Sequence, residues 1–307
     1  MSIGFIPSIE AASIVLLDAL NKNEATIVKE VMDYVQNNEC IGGTADSFHN
    51  AATNLARAEA YSCAVAFLEV GHKRYSRDTD ILADLIHYGS QCKRIEEVYP
   101  YFLELKSVRQ RFWTWRAYTF SCDYLMEYIQ YTTTDEEENT IETEILCLLE
   151  SYKKNYPNDE RPFVEESEYY ERKHDSERQV AALIEGMDKI AICCQCALKY
   201  ADYMFKKGEY EKVIPAAEKA VNIREDQPSI SLGYTYYILA MSREVVMRKN
   251  NMQFTEAVLK PVYDAYGISF NFLEKEGGRS RLQLQIWNRV KALERESKIE
   301  SNIDFIQ

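Results

Sequence analysis

An all-α fold is expected of this chain, on three observations. Apolar residues recur at i, i+3, i+4 and i+7 through segment after segment, the period of a helix with one buried face. Gly and Pro are scarce, 11 and 7 in 307 residues, too few for the tight turns of a many-stranded protein. A 34-residue register also relates neighbouring segments. Phe48, Ala52 and Leu55 shifted by 34 fall on Leu82, Ile86 and Gly89, and Tyr61, Ala64, Leu68 and Gly71 fall on Ile95, Val98, Phe102 and Leu105.

About thirteen helices follow from the apolar period, joined by short polar connections. IPSIEAASIVLLDAL and ATIVKEVMDYV make a helical hairpin that caps the N-terminal end over residues 1–42, closed by the loop ECIGGTAD. A first subarray, 43–158, runs through SFHNAATNLARAEA, AYSCAVAFLEVGHKRY, DILADLIHYGSQ, RIEEVYPYFLELKSV, FWTWRAYTFSCDYLMEYI and IETEILCLLESYKKNY. The stretch 159–177 breaks the apolar rhythm with its charge density and reads as a linker or a helix start. A second subarray, 178–270, contains ERQVAALIEGMDKIAICCQCALKYADYMFKK as one helical run, then YEKVIPAAEKAVNI, SLGYTYYILAMSREVVMRK and FTEAVLKPVYDAY. Residues 271–307 form a C-terminal capping helix whose Leu282, Ile286, Val290 and Leu293 stripe faces inward.

The segment 194–228 resembles a tetratricopeptide repeat (TPR). Gly208 and Tyr210 stand as that family's Gly-x-Tyr turn, and Ala220 matches its small residue near the end of the second helix. Val213 stands for the family's mid-helix small residue, Ala217 replaces its usual aromatic, and Pro228 falls later than its closing proline. Residues 45–78 and 79–112 resemble weaker copies, with Glu59 and Lys93 where the turn glycine would be; 113–157 and 229–270 are looser ones. The resemblance covers about two thirds of the chain. It implies a right-handed α-solenoid of antiparallel helix pairs, a TPR-like superhelix whose first helices line a concave groove where a partner polypeptide lies. On that alignment the groove positions are Asp46, His49, Thr53, Arg57, Ala83, His87 and Gln91 early in the chain, and Gln195, Leu198, Asp202, Phe205 and Lys206 later. Repeat proteins of this family that clamp a C-terminal carboxylate place Lys and Asn there. Leu198 and Asp202 do not fit that role.

Further candidate contacts come from the residues themselves. The run RQRFWTWR, 109–116, gathers Arg109, Arg111 and Arg116 with aromatic residues, the side chains most often found as interface anchors. Against that, Phe112, Trp115 and Tyr118 are expected to seat the next helix in the core. Tyr234, Tyr237 and Met241 share one helical stripe with Tyr236 beside it, a core surface first and a peptide-holding one second.

Charge and cysteine usage narrow the function. The net charge of −13 disfavours a phosphate backbone as partner. The acids of DEEENTIETE (135–144) and EESEYYE (165–171) are expected on solvated faces and a loop, with docking of a basic partner as the alternative. No run is apolar enough to span a membrane, and the first residues carry acids without a basic n-region, so neither an anchor nor a secretory signal is expected and the location inferred is cytoplasmic. Of eight cysteines, Cys193, Cys194 and Cys196 cluster, but no second CxxC or nearby histidine completes a tetrahedral metal set, so packing is the expected role. The histidines at 49, 72, 87 and 174 have no HExxH spacing, GxSxG is absent, and pairs such as Glu165 and Glu166 lie in charge-rich, wet-looking segments. No cofactor and no catalytic residue is expected. The leading function is a non-enzymatic scaffold holding a peptide or protein segment. A peptide-sensing regulator or a toxin- or effector-neutralising partner comes next, and an enzyme on a helical scaffold after that.

Overall fold

The computed structural model describes residues 6–37, 41–93, 95–222, 231–275 and 281–303. Pro228, expected as a late closing proline, and Cys40 of the ECIGGTAD loop lie outside the described residues. The chain divides into two units, 1–157 and 158–307. Unit 1 holds α1 (Ile9–Asn21), α2 (Ala25–Asn37), α3 (Ala45–Arg57), α4 (Tyr61–Arg74), α5 (Thr79–Cys92), α6 (Ile95–Ser107), α7 (Trp115–Tyr128) and α8 (Asp135–Asn155). Unit 2 holds α9 (Arg161–Arg172), α10 (Ser176–Lys189), α11 (Cys194–Lys207), α12 (Tyr210–Val221), α13 (Leu232–Lys249), α14 (Glu256–Lys275) and α15 (Arg281–Ser297). Among the described residues the sole strand-like pairing is an isolated bridge between Ser8 and Gly42.

Within each unit the substantial helix contacts join elements one or two places apart in chain order: α1 to α3, α3 to α5, α5 to α7, and in unit 2 α9 to α11 and α11 to α13. A closed bundle would bring first and last helices together; this succession is that of a TPR-like array of helix pairs. The 34-residue register is visible in the element starts, since α3 and α5 begin at 45 and 79, and α4 and α6 at 61 and 95. The residues that carried it are core: Phe48, Ala52, Leu55, Leu82, Ile86, Ala64, Leu68, Val98, Phe102 and Leu105 are all buried. Gly71 is needed for space, because a Cβ there would sit 2.8 Å from Cγ of Phe48 on the facing helix.

Five of the turns inside the pairs follow one design. Asn23, Glu59, His174, Gly208 and Asn251, each just past the first helix of a pair, have positive φ (56°, 59°, 56°, 76° and 49°). The next residue then returns its N–H to the carbonyl five places back: Glu24 to Ala19, Ala60 to Leu55, Asp175 to Tyr170, Glu209 to Met204 and Met252 to Met247. This is a Schellman motif, which satisfies otherwise orphaned helix-end carbonyls and reverses the chain. Gly208 fills the left-handed position without strain, as its place in the repeat implied, and Glu59 fills it at a steric cost. Lys93, the other residue aligned with the turn glycine, has φ −110° and does not take part.

Among the described residues fifteen α-helices stand where about thirteen were expected, for two reasons. The charged stretch 159–177 contains α9, whose apolar side buries Phe163, Val164 and Tyr169. The long run 177–207 is broken after Lys189, where Ile190 is extended and Cys193 becomes the residue before α11. The acidic run 135–144 is not a loop but the first half of α8. Thr134 accepts from the N–H of Glu137 while Glu137 accepts from the N–H of Thr133, and the acids of the first turn face the positive end of the helix dipole. Glu165, expected in a wet segment, is buried.

The last helix is held by a buried acid. Glu244 of α13 accepts from Nε and Nη2 of Arg289 on α15, both at 2.9 Å, from the Tyr266 hydroxyl of α14 at 2.9 Å, and from Nε of Arg248 at 3.0 Å. Burial alone would push its carboxyl up, but Arg289, Tyr266 and Arg248 together hold it below the usual range.

Two outcomes test these elements. In thermal or urea unfolding, Gly208→Ala lowers stability by about 1–2 kcal/mol, whereas Glu59→Gly raises it by about 0.5–1 kcal/mol through relief of the left-handed strain. Glu244→Gln costs about 2–3 kcal/mol, below the range for a fully buried pair because Arg289 and Arg248 are partly solvated. The Glu244 carboxyl titrates lower when folded, so its contribution is present above about pH 4.3 and fades as pH falls through the folded midpoint. An acid-unfolding curve for Glu244→Gln that parallels the unsubstituted one would remove that assignment.

Candidate functional site

In unit 1 the first helices of three successive pairs, α3, α5 and α7, place a polar and aromatic strip side by side. His49 of α3 is bonded through Nδ1 to the Asp84 carboxylate of α5 and through Nε2 to the Arg116 guanidinium of α7. A guanidinium only donates, so Nε2 accepts and Nδ1 carries the proton donated to Asp84. His87, one turn along α5, stacks on Phe120 of α7 with ring centroids 4.1 Å apart and planes 11° from parallel. Arg116 lies 6.0 Å from the same ring and 5.6 Å from Trp115. Tyr88 donates to Thr53 Oγ1 at 3.3 Å, tying α5 back to α3. Asp84 is fully buried, and its Oδ1 has no hydrogen-bond partner among the described residues.

Burial sets the electrostatics of the strip. It pushes the Asp84 carboxyl up against the opposing pull of His49 and Arg116. It also pulls the His87 imidazole below its usual value, and the Arg116 charge adds to that shift.

The structure thus gathers His49, Thr53, His87 and Arg116 from the expected groove. Asp46, Arg57 and Gln91 lie exposed on the same helices, while Ala83 is buried and offers nothing to a partner. Arg109 and Arg111 are exposed before α7, with Arg111 4.6 Å from the Phe112 ring. The expected roles of the aromatics there are partly exchanged. Trp113 and Tyr118 seat α7 in the core, whereas Phe112 and Trp115 are 58% and 38% exposed and stand outward. Asp84 and Phe120 were missed. The signal for Asp84 was present: a lone acid inside the apolar run DILADLI, three residues before His87.

Unit 2 has a smaller counterpart on α11 and α13. Asp202 accepts from the Tyr234 hydroxyl at 2.6 Å and pairs with Lys206 at 2.6 Å, and Phe205 sits edge-on to Tyr210 and Tyr237. Tyr236 does not share this strip; it stacks on Phe272 of α14. Gln195 is half-buried in the first turn of α11, its backbone N–H donating to Glu160 Oε2 at 2.8 Å. That carboxylate also accepts from the N–H of Cys196 at 3.3 Å, and it stands beside the buried thiols of Cys193 and Cys196. Among the described residues this is the cluster in unit 2 whose ligand atoms are close enough for a metal ion.

No family model matches the chain, and no curated protein matches it. Solved structures do. One is TTC0263, a thermophilic TPR protein of Thermus thermophilus, 12% identical with a TM-score of 0.47 over 66% of this chain and all of that one. Another is the human IFIT1 dimer with m7Gppp-AAAA, 12% identical with a TM-score of 0.42 over 97% of this chain and 68% of that one. No helix of the described residues is long and apolar enough to cross a membrane.

The strip makes a pH prediction. His87 titrates lower when folded, so the unfolded chain binds its proton more readily, and the associated stability is complete above about pH 6.5 and declines below it. In an NMR titration the His87 ring shows a midpoint below 6.5, and Arg116→Gln moves that midpoint partway back. An unmoved midpoint in the variant would remove Arg116 as a cause.

Proposed function

We propose that the chain is a non-enzymatic interaction scaffold and that the face formed by α3, α5 and α7 holds a segment of a partner polypeptide. The observation that carries this reading is the strip itself. Three successive helices contribute half-exposed His49, His87, Arg116 and Phe120 in one continuous row, with exposed Arg57, Gln91 and Trp115 around it. An extended chain crossing successive helices would meet an aromatic surface, cationic donors and hydroxyls in turn, the mix of anchors that interfaces favour. Arg116 lends this face positive charge, exposed Arg109 and Arg111 precede α7, and together they suit an acidic segment.

The same geometry speaks against acid–base chemistry at the His49–Asp84 pair. A general base needs a free lone pair on the imidazole, and Nε2 is occupied by the Arg116 guanidinium. The acidic N-terminal half of α8 supports a second reading in which the partner is basic: exposed Asp135, Glu136 and Glu137 project there together.

Photo-crosslinking from position 91 in the native host, followed by binding measurements with the captured segment, tests the proposal. Arg116→Glu and His87→Ala are expected to weaken binding by about 10- to 100-fold, the loss of one or two anchors at about 1.4 kcal/mol per tenfold, with helix content unchanged by circular dichroism. Crosslinks confined to α8 would favour the second reading. Undiminished binding by both variants would exclude the strip.

A further inference from the structure

We propose that Glu160, Cys193 and Cys196 form a zinc site at the start of α11, on residues other than those of the partner-holding face. The three residues come from two places in unit 2. Glu160 immediately precedes α9, and the two cysteines flank the first turn of α11. Cys193 is the residue before that helix, with φ −125° and ψ 81°, and Cys196 follows one turn later. The break after Lys189 makes this possible, because it brings Cys193 out of the helical run while keeping it beside Cys196.

The donor set suits the ion. One carboxylate oxygen and two sulfurs lie within 4.8 Å of one another. A tetrahedral zinc with Zn–S of about 2.3 Å and Zn–O of about 2.0 Å needs separations of about 3.5–3.8 Å, so side-chain rotation closes the remainder. Two thiolates and one carboxylate leave a fourth position, which water can take, and thiolate ligands select zinc over magnesium or calcium.

The surroundings are those of a prepared site. Glu160 Oε2 is oriented by the N–H groups of Gln195 and Cys196, the outer-shell support that metal-binding carboxylates have. Cys193 and Cys196 are 1% and 0% exposed, while Glu160 remains partly open and provides the way in. α10 leaves room for the sulfur: a Cβ on Gly186 would stand 2.8 Å from Cys196 Sγ and 3.0 Å from Phe163 Cβ. Charge also balances. Zinc binding breaks two S–H bonds, forms two Zn–S bonds and one Zn–O bond, and releases two protons to water. A carboxylate with two neutral thiols carries one negative charge, and Zn2+ with three anionic ligands carries the same.

Cobalt titration of the reduced, chelator-treated chain tests the site. The expected result is the visible spectrum of a tetrahedral thiolate site with its near-ultraviolet charge-transfer band, saturating at one Co2+ per chain and bleached by Zn2+. Cys193→Ser and Cys196→Ser weaken metal binding at least about 100-fold and Glu160→Gln at least about tenfold, while Cys194→Ser leaves it intact. Should a variant fail to fold, the unsubstituted chain still decides. Zinc addition must release two protons per ion and protect Cys193 and Cys196 from alkylation. Absence of the thiolate–cobalt band, its persistence in Cys196→Ser, or zinc uptake without proton release would overturn the assignment.

Discussion

Two antiparallel helices joined by a short turn cannot bury their own apolar surface, and everything else in this chain follows from that. Within each unit successive pairs cover one another's sides, so the contacts run between elements one or two places apart. The core is correspondingly drawn out rather than central. In unit 1 one cluster of buried residues runs from Ile6 through Phe48 and Phe67 to Tyr88. Such an array has no natural end, and the last helix needs a fixing point. Glu244 supplies one, since α15 is tied by a bidentate arginine to an acid of α13 that α14 also bonds.

What the sequence made legible was periodic. All the residues that the 34-residue register named in α3 to α6 are buried except half-buried Tyr61, because each position of a repeat sees nearly the same neighbours. The Gly-x-Tyr turn located α11 and α12 for the same reason. What escaped was aperiodic. α9 is hidden by charge, and its buried Glu165 and Tyr169 look exposed in a run such as EESEYYE. The break between α10 and α11 has no Gly or Pro to announce it. It depends instead on Glu160, distant in sequence, offering its carboxylate to the first N–H groups of the new helix. A cap delivered from another helix cannot be read from the residues on either side of the break.

The candidate strip divides along the same line. His49, Thr53 and His87 were reachable because groove positions recur with the repeat, and Arg116 because arginine among aromatics marks a candidate anchor. Asp84 and Phe120 were not, since their importance lies in what they touch rather than where they fall. The aromatics of RQRFWTWR show the limit most clearly. The pattern left core seating and an interface anchor both open for the run, and after a short 3₁₀ turn at Gln110–Phe112 Trp113 is buried while Trp115 stands outward. One residue of phase separates a core side chain from a surface one, and that phase is set by the turn.

Inward-facing carboxylates show how an acidic chain keeps charge inside. Glu244 is met by two arginines and a tyrosine, which outweigh its desolvation and leave it a structural tie. Asp84 is met by His49 and, beyond it, Arg116; here burial prevails and the carboxyl is pushed up, so the group is held but not fully compensated. Glu160 has backbone N–H groups and thiols around it, and burial again raises its carboxyl. The progression runs from full cationic pairing, through a shared cation, to dipoles alone. The less a buried acid is neutralised by its own chain, the more favourably it receives a cation from outside. On that ordering Glu244 is a structural tie, while the less compensated Asp84 and Glu160 stand at the partner-holding face and the zinc site proposed above.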